Sequence, residues 1–228
     1  MNAMNTLSFR HIAKWHNQNP QSRLGQRVSE SLAILAAAFK RWDSREILIS
    51  FNGGKDATVL LHLVRYCASE LNVPMPSCVY WEEADAFPDV NMFVDACEKF
   101  YDLDVIRYRG TIVQGLTELV EKRNSQAFIL GTRASDPNGA HAAPFEPSSP
   151  GWGPNFTRVN PLLQWEYQDI WNFLIDTFEP YCKLYDVGYT SLGNLRDTLP
   201  NPALRNEDGT YKPAFMLKNG ELERNGRL

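Results

Sequence analysis

Glu46-Ile47-Leu48-Ile49-Ser50-Phe51 runs straight into Asn52-Gly53-Gly54-Lys55-Asp56. The first six residues form a short β-branched and aromatic run that reads as a buried strand, and Asn-Gly-Gly stops it in a turn. Helical spacing resumes from Asp56 to Leu71 through Val59, Leu60, Leu63, Val64 and Cys67. A turn between a strand and a helix start gathers unpaired backbone N–H groups at the positive end of the helix dipole, a setting for phosphate. Two glycines let the backbone close on an anion without a Cβ in the way. Lys55 adds a positive charge, and Asp56 is placed to hold magnesium or to cap the helix. The plainer reading is a tight strand-to-helix turn with Asp56 as its N-terminal charge. The segment matches neither GxxxxGK[ST] nor GxGxxG.

Strands and helices alternate downstream. Pro76–Trp81, Leu103–Tyr108 and Gln126–Gly131 read as strands. Pro88–Tyr101 and Ile112–Lys122 read as helices, with Pro88 in a first turn. Upstream, Val28, Leu32, Leu35, Ala36 and Phe39 predict a helix over Val28–Trp42, while the stretch to Gln21 is polar and mixed. The alternation predicts an α/β fold, a Rossmann-like parallel sheet with helices on both faces and ligands beyond the carboxyl ends of its strands. It breaks at Thr132. Residues 133–156 are loop-like and punctuated by Gly and Pro, a length that points to function. Glu166–Phe178 predicts a helix, with Trp165, Trp171, Phe173 and Phe178 as a core stripe. After Pro180 the chain reads as irregular. One domain is expected over residues 1–228, with a nucleotide-binding core at about 22–160 and a C-terminal extension at about 161–228.

The net charge of -4 weighs against a nucleic-acid partner, which asks for a basic face. Cys67, Cys78, Cys97 and Cys182 form no CxxC pair, and no Cys/His cluster has zinc-ligand spacing, so the thiols read as reduced and buried. No apolar run approaches the roughly 20 residues of a membrane span, and the first residues lack a signal-peptide core. A soluble, cytoplasmic monomer with no membrane partner is the expectation.

The segment Ser50–Asp56 (SFNGGKD) resembles the PP-loop of the ATP pyrophosphatase superfamily, and in particular its eukaryotic FAD synthase branch, which is related to the 3′-phosphoadenylylsulfate reductases. Three further stretches are similar to that branch and come in its order. They are Gly131–Pro137 (GTRASDP), Arg158–Leu163 (RVNPLL) with Asp169-Ile170-Trp171, and Pro180–Asp186 (PYCKLYD) followed by Gly188–Gly193. The resemblance implies an adenine-nucleotide alpha-hydrolase-like fold. It also implies transfer of AMP from ATP to FMN, giving FAD and pyrophosphate, with Mg2+. By the same resemblance Asn52, Gly53, Gly54 and Lys55 cradle the leaving phosphates, Ser50 and Phe51 belong to the binding site, and Asp56 and Asp136 serve catalysis and the metal. Gly131, Arg133 and Arg158 lie near phosphate or flavin.

Some readings stay double on the residues alone. Asp136 is also a plain Asp-Pro turn opener. Trp152, flanked by Gly151 and Gly153, is either a loop anchor or a platform for the isoalloxazine ring. Arg224 and Arg227 read as two solvated arginines on a frayed polar tail whose loss would leave stability nearly unchanged. The resemblance instead implies that they reach the phosphates, which guanidinium suits. Glu82, Glu83 and Asp85 read as a solvated acidic loop. Ala57 stands where many members of the family carry Cys, and the tail has no redox Cys of a sulfonucleotide reductase. No thiol chemistry is therefore expected.

Overall fold

The computed structural model describes residues 3–137 and 139–228. Its centre is a six-stranded sheet in the order β3-β2-β1-β4-β6-β5. The strands are β1 (Ile47–Ser50), β2 (Ser77–Trp81), β3 (Val105–Tyr108), β4 (Ala127–Ile129), β5 (Phe145–Pro147) and β6 (Thr157–Val159). All neighbours are parallel except β5, which runs antiparallel to β6. The helices are α1 (Ala3–Gln18), α2 (Arg23–Arg41), α3 (Lys55–Leu71), α4 (Pro88–Tyr101), α5 (Ile112–Arg123) and α6 (Tyr167–Asp176). The predicted α/β fold is present, with helices on both faces.

Alternation along β1 decides what lies on each face. Ile47 and Ile49 point into the larger core with residues of α2, α3, α4 and α6, whereas Leu48 points into a smaller one. That second core joins Leu48, Val79 and Phe128 to Leu116 and Leu119 of α5. Each such side chain contributes about 1.5–3 kcal/mol by leaving water. The aromatic stripe on α6 holds for Trp165, Trp171 and Phe173, all buried. It fails for Phe178, which follows the helix at φ 56° and is 82% exposed. That residue has left the helical face, because the chain turns left-handed to end α6.

Three elements went unread in the sequence: α1, β5 and β6. Helix α1 fills the stretch that looks polar and mixed, and Ile12, Ala13 and Trp15 tie it to the larger core. Ile12 is fully buried, and Trp15 meets Phe173 edge-on at 6.5 Å. The long loop after β4 contains the three residues of β5, and β6 follows it. Strands this short carry too little alternation to be seen.

β1 is the pivot of the topology. The chain winds outward to β2 and β3 on one side and crosses to β4 on the other. The loops after β1 and β4 therefore diverge at a switch point, where an α/β sheet leaves a crevice at its carboxyl edge. Gly131 lets those two loops touch: a Cβ there would stand 3.3 Å from the backbone of Asp56 and Ala57.

Candidate active site

A cavity of about 750 Å³ occupies that crevice. Its floor is the turn after β1, with Ser50, Asn52, Gly54, Lys55 and Asp56. The turn is held locally. Asn52 Oδ1 accepts the Gly54 N–H at 3.0 Å, and Thr58 Oγ1 donates to the Gly54 carbonyl at 2.8 Å. Gly53 sits at φ 71°, in the left-handed region that favours glycine. Tyr185, on the turn Lys183–Val187, accepts the Lys55 N–H with its hydroxyl at 2.8 Å.

The loop after β4 supplies one wall through Gly131, Thr132 and Asp136. Asp136 closes its own turn, accepting the Arg133 N–H at 2.8 Å. Ser149, Trp152 and Arg158 stand further along that wall. Arg158 donates to Ser149 Oγ at 2.9 Å and lies 5.4 Å from the Trp152 ring centroid. A smaller, mostly apolar slot of about 170 Å³ shares Ser50, Leu130 and Trp152 with the cavity.

The opposite wall is the tail, with Glu223, Arg224 and Arg227. The tail is packed, not frayed. Its 3₁₀ turn Gly220–Leu222 leads into buried Glu223, whose carbonyl accepts from Thr190 Oγ1 at 2.6 Å. Leu199 N–H donates to Gly226 O at 2.8 Å. A polar segment gains this order from hydrogen bonds and charge instead of apolar contacts, which is why it looks unstructured as sequence.

Glu223 forms a buried charge cluster with two cations. Lys55 Nζ lies 2.5 Å from Glu223 Oε1 and 2.8 Å from Asp56 Oδ2. Arg133 donates to Glu223 Oε2 at 2.6 Å and to Asp136 Oδ1 at 3.3 Å. Its Nε stands 2.9 Å from Asp56 Oδ1, an ion pair out of hydrogen-bond alignment. Burial works against ionising Asp56, but Lys55 and Arg133 outweigh it and hold the carboxyl below its ordinary value. Burial also opposes the Arg133 charge, and Asp56, Glu223 and Asp136 together raise its pKa above the usual value.

The structure brings most of the expected residues to the cavity and moves three away from it. Phe51 is fully buried in the core beside Phe93, because β1 alternation points it under the sheet. Gly53 faces Val90 and Val94 of α4. Arg133 lies under the loop, 2% exposed, with its charge spent on three carboxylates. Among the described residues, Arg224 and Arg227 have no ion-pair partner, so their charge is open to an anion. Sequence reading missed Glu223, which sits unmarked in ELERNGRL, and Tyr185, which was quoted in a motif without a role.

No cysteine lines the cavity among the described residues. All four are free and buried, and burial pushes Cys67 up to about 11 and Cys78 and Cys97 up to about 12. In the acidic loop read as solvated, Glu82 pairs with Arg107 and Arg109, and Asp85 with Arg196.

The model of the phosphoadenosine phosphosulfate reductase domain matches residues 46–114 and 111–200. The Probable FAD synthase of Schizosaccharomyces pombe is 41% identical over 215 residues, 90% of this chain and 80% of that one. The chain belongs to the phosphoadenosine phosphosulfate reductase domain family, on its FAD synthase branch. A Caenorhabditis elegans member of the branch, Probable FAD synthase, is 40% identical over 211 residues. They cover 89% of this chain but 40% of that protein, so the chain spans less than half of that relative. The FMN adenylyltransferase of Candida glabrata, solved in complex with FMN and the ATP analog AMPCPP, superposes with a TM-score of 0.89 at 26% identity, covering 98% of each chain. The same enzyme has been solved in complex with FAD and inorganic pyrophosphate. Among the described residues no helix is long and apolar enough to cross a membrane.

Proposed function

We propose that this chain is an FMN adenylyltransferase, transferring AMP from ATP to the phosphate of FMN to give FAD and pyrophosphate. The observation that carries this reading is the placement of Arg224 and Arg227, without carboxylate partners among the described residues, across one cavity from the Asn52–Asp56 turn. The S. pombe and C. glabrata relatives support the choice of substrates.

An FMN phosphate oxygen attacks the α-phosphorus in line with the departing pyrophosphate. One O–P bond forms, the bond between the α-phosphorus and its bridging oxygen breaks, and pyrophosphate leaves with the electron pair. The phosphate monoester is already anionic, so the reaction needs no strong base and no covalent enzyme intermediate. Catalysis is positioning and charge neutralisation. Asn52 and the positive end of α3 hold the leaving phosphates, with the Gly54 and Lys55 N–H groups engaged by Asn52 and Tyr185, and Arg224 and Arg227 neutralise charge as it develops. Trp152 and the apolar slot beside it suit the isoalloxazine ring.

Mg2+ suits the donor set. It takes one or two carboxylates and completes its shell with phosphates and water. Asp56 and Asp136 both line the cavity, and among the described residues no group of three or more His, Cys, Asp or Glu forms a closed metal cage. Bound there with ATP, the ion would offset phosphate charge. Asp56 and Asp136 hold their carboxylates ready through contacts to Lys55 and Arg133.

Incubation of the protein with FMN, ATP and magnesium, followed by chromatography, tests the reading. FAD and pyrophosphate should appear in equal amounts; binding of both substrates without FAD would make the chain a sensor instead of an enzyme.

A further inference from the structure

Tyr185 is buried, its ring held edge-on by Trp171 at 5.2 Å, yet its hydroxyl reaches the cavity. The hydroxyl takes a specific place. Gly54, at the cap position of α3, has no side chain to cap the helix, and Tyr185 accepts the first helical N–H, that of Lys55, at 2.8 Å. A helix N-terminus that binds phosphate normally offers this N–H to the anion directly. Here the N–H is already engaged. A phenol both accepts and donates, and accepting from Lys55 leaves its own proton to place. No hydrogen bond among the described residues takes that proton. Burial, with the nearby Asp56 charge, pushes the phenol well above its ordinary pKa, so the proton stays on.

Taking the proposed FAD synthase reaction as given, we infer that Tyr185 is a phosphate-binding residue of this site. It accepts the Lys55 N–H and donates its own O–H to a phosphoryl oxygen of ATP or of the departing pyrophosphate. The hydroxyl carries the polarity of the helix start outward by one group. The Lys183–Val187 turn, which comes 130 residues after the phosphate loop in sequence, becomes part of that loop's anion site. The arrangement gives the PYCKLYD stretch a reason to be where it is: Trp171 and Tyr181 fix the ring, and the ring aims the oxygen.

Tyr185→Phe removes the oxygen and keeps the ring packing. Wild-type and Y185F proteins are compared for FAD formation, for FMN affinity by flavin fluorescence, and for pyrophosphate affinity by calorimetry. A hydrogen bond to a charged acceptor predicts a fall of about ten- to a hundredfold in kcat/KM for ATP and in pyrophosphate affinity. FMN affinity should stay within about twofold, since the ring packing is untouched. Unchanged pyrophosphate affinity in Y185F overturns the inference, and so does an equal loss of FMN affinity, which would mark a purely structural tyrosine. Failure of the wild-type protein to make FAD would instead overturn the assigned reaction, while pyrophosphate binding still reads out Tyr185. A second measurement does not depend on how Y185F folds. With 3-fluorotyrosine at position 185, the fluorine resonance should move on adding pyrophosphate and stay put on adding riboflavin, which has no phosphate. A resonance indifferent to pyrophosphate also overturns the inference.

Discussion

The Asn52–Asp56 turn and the Gly220–Leu228 tail face each other across one cavity and keep their shapes by opposite means. The turn is shaped by neighbours in sequence: β1 before it, α3 after it, and the Asn52 side chain folded back on Gly54. The tail has no strand or long helix, and its anchor is Glu223, paired with Lys55 and Arg133. Local geometry shapes the turn, and buried charge with hydrogen bonds from Thr190, Asn201 and Leu199 holds the tail against it. A site can therefore be half rigid backbone and half electrostatic docking. The docking half depends on the two cations that the turn and the neighbouring loop bury.

The largest expected effect tests the turn. Asp56→Ala should cut FAD formation by about 10²–10³-fold or more, the scale of losing one group aimed at developing charge. Arg133 keeps Asp136 and Glu223 as partners, so circular dichroism should show a native fold. Turnover near the wild-type rate in that folded variant would break the assignment.

Truncation after Gly220 comes next, and here the tail differs from its sequence reading. Turnover should fall strongly, and stability should fall as well, by about 3–5 kcal/mol in denaturant titration, since two buried cations lose a carboxylate. Glu223→Leu should reproduce the stability loss. An unchanged Tm in both would mean the tail is only a solvated end.

Trp152→Ala asks whether a third region, the loop after β4, belongs to neither. FMN binding should weaken about tenfold, the worth of one stacked aromatic contact, with ATP binding spared. Equal loss of both ligands would contradict the flavin side of the cavity.

The scaffold was legible where each element spoke for itself. EILISF, its turn and α3 read correctly because period and punctuation are local, and Pro88 marked the start of α4. Among the site residues, Asn52 and Asp56 follow from that same strand-turn-helix setting. Glu223 was not legible, because its meaning lies in Lys55 and Arg133, 168 and 90 residues away. Phe51 misled for a related reason. Membership in the motif said nothing about which side of β1 its ring would take.

A smaller effect separates charge from shape in the tail. Lysine at both 224 and 227 keeps the charge and loses the planar fork, so turnover should fall about tenfold with Tm unchanged. Full activity would mean that charge alone suffices there. The smallest effect is expected at the thiols, outside both regions. With pKa values raised to about 11–12 for Cys67, Cys78 and Cys97, the thiolate is scarce at neutral pH. Native protein should resist alkylation up to about pH 9, denatured protein should react at all four cysteines, and a four-fold Ala or Ser variant should keep its activity per folded molecule.

The Lys55–Glu223 pair joins residues 168 apart. Contacts this distant pay loop-closure entropy before they return any energy, and chains rich in them fold slowly. Most sheet pairings close shorter loops than this one, so the contacts of the tail are expected to form last. The expectation for refolding is a late step in which Glu223 joins Lys55 and Arg133 after the sheet has formed. Pyrophosphate added during refolding should therefore act on the final docking step and leave the earlier growth of the sheet untouched.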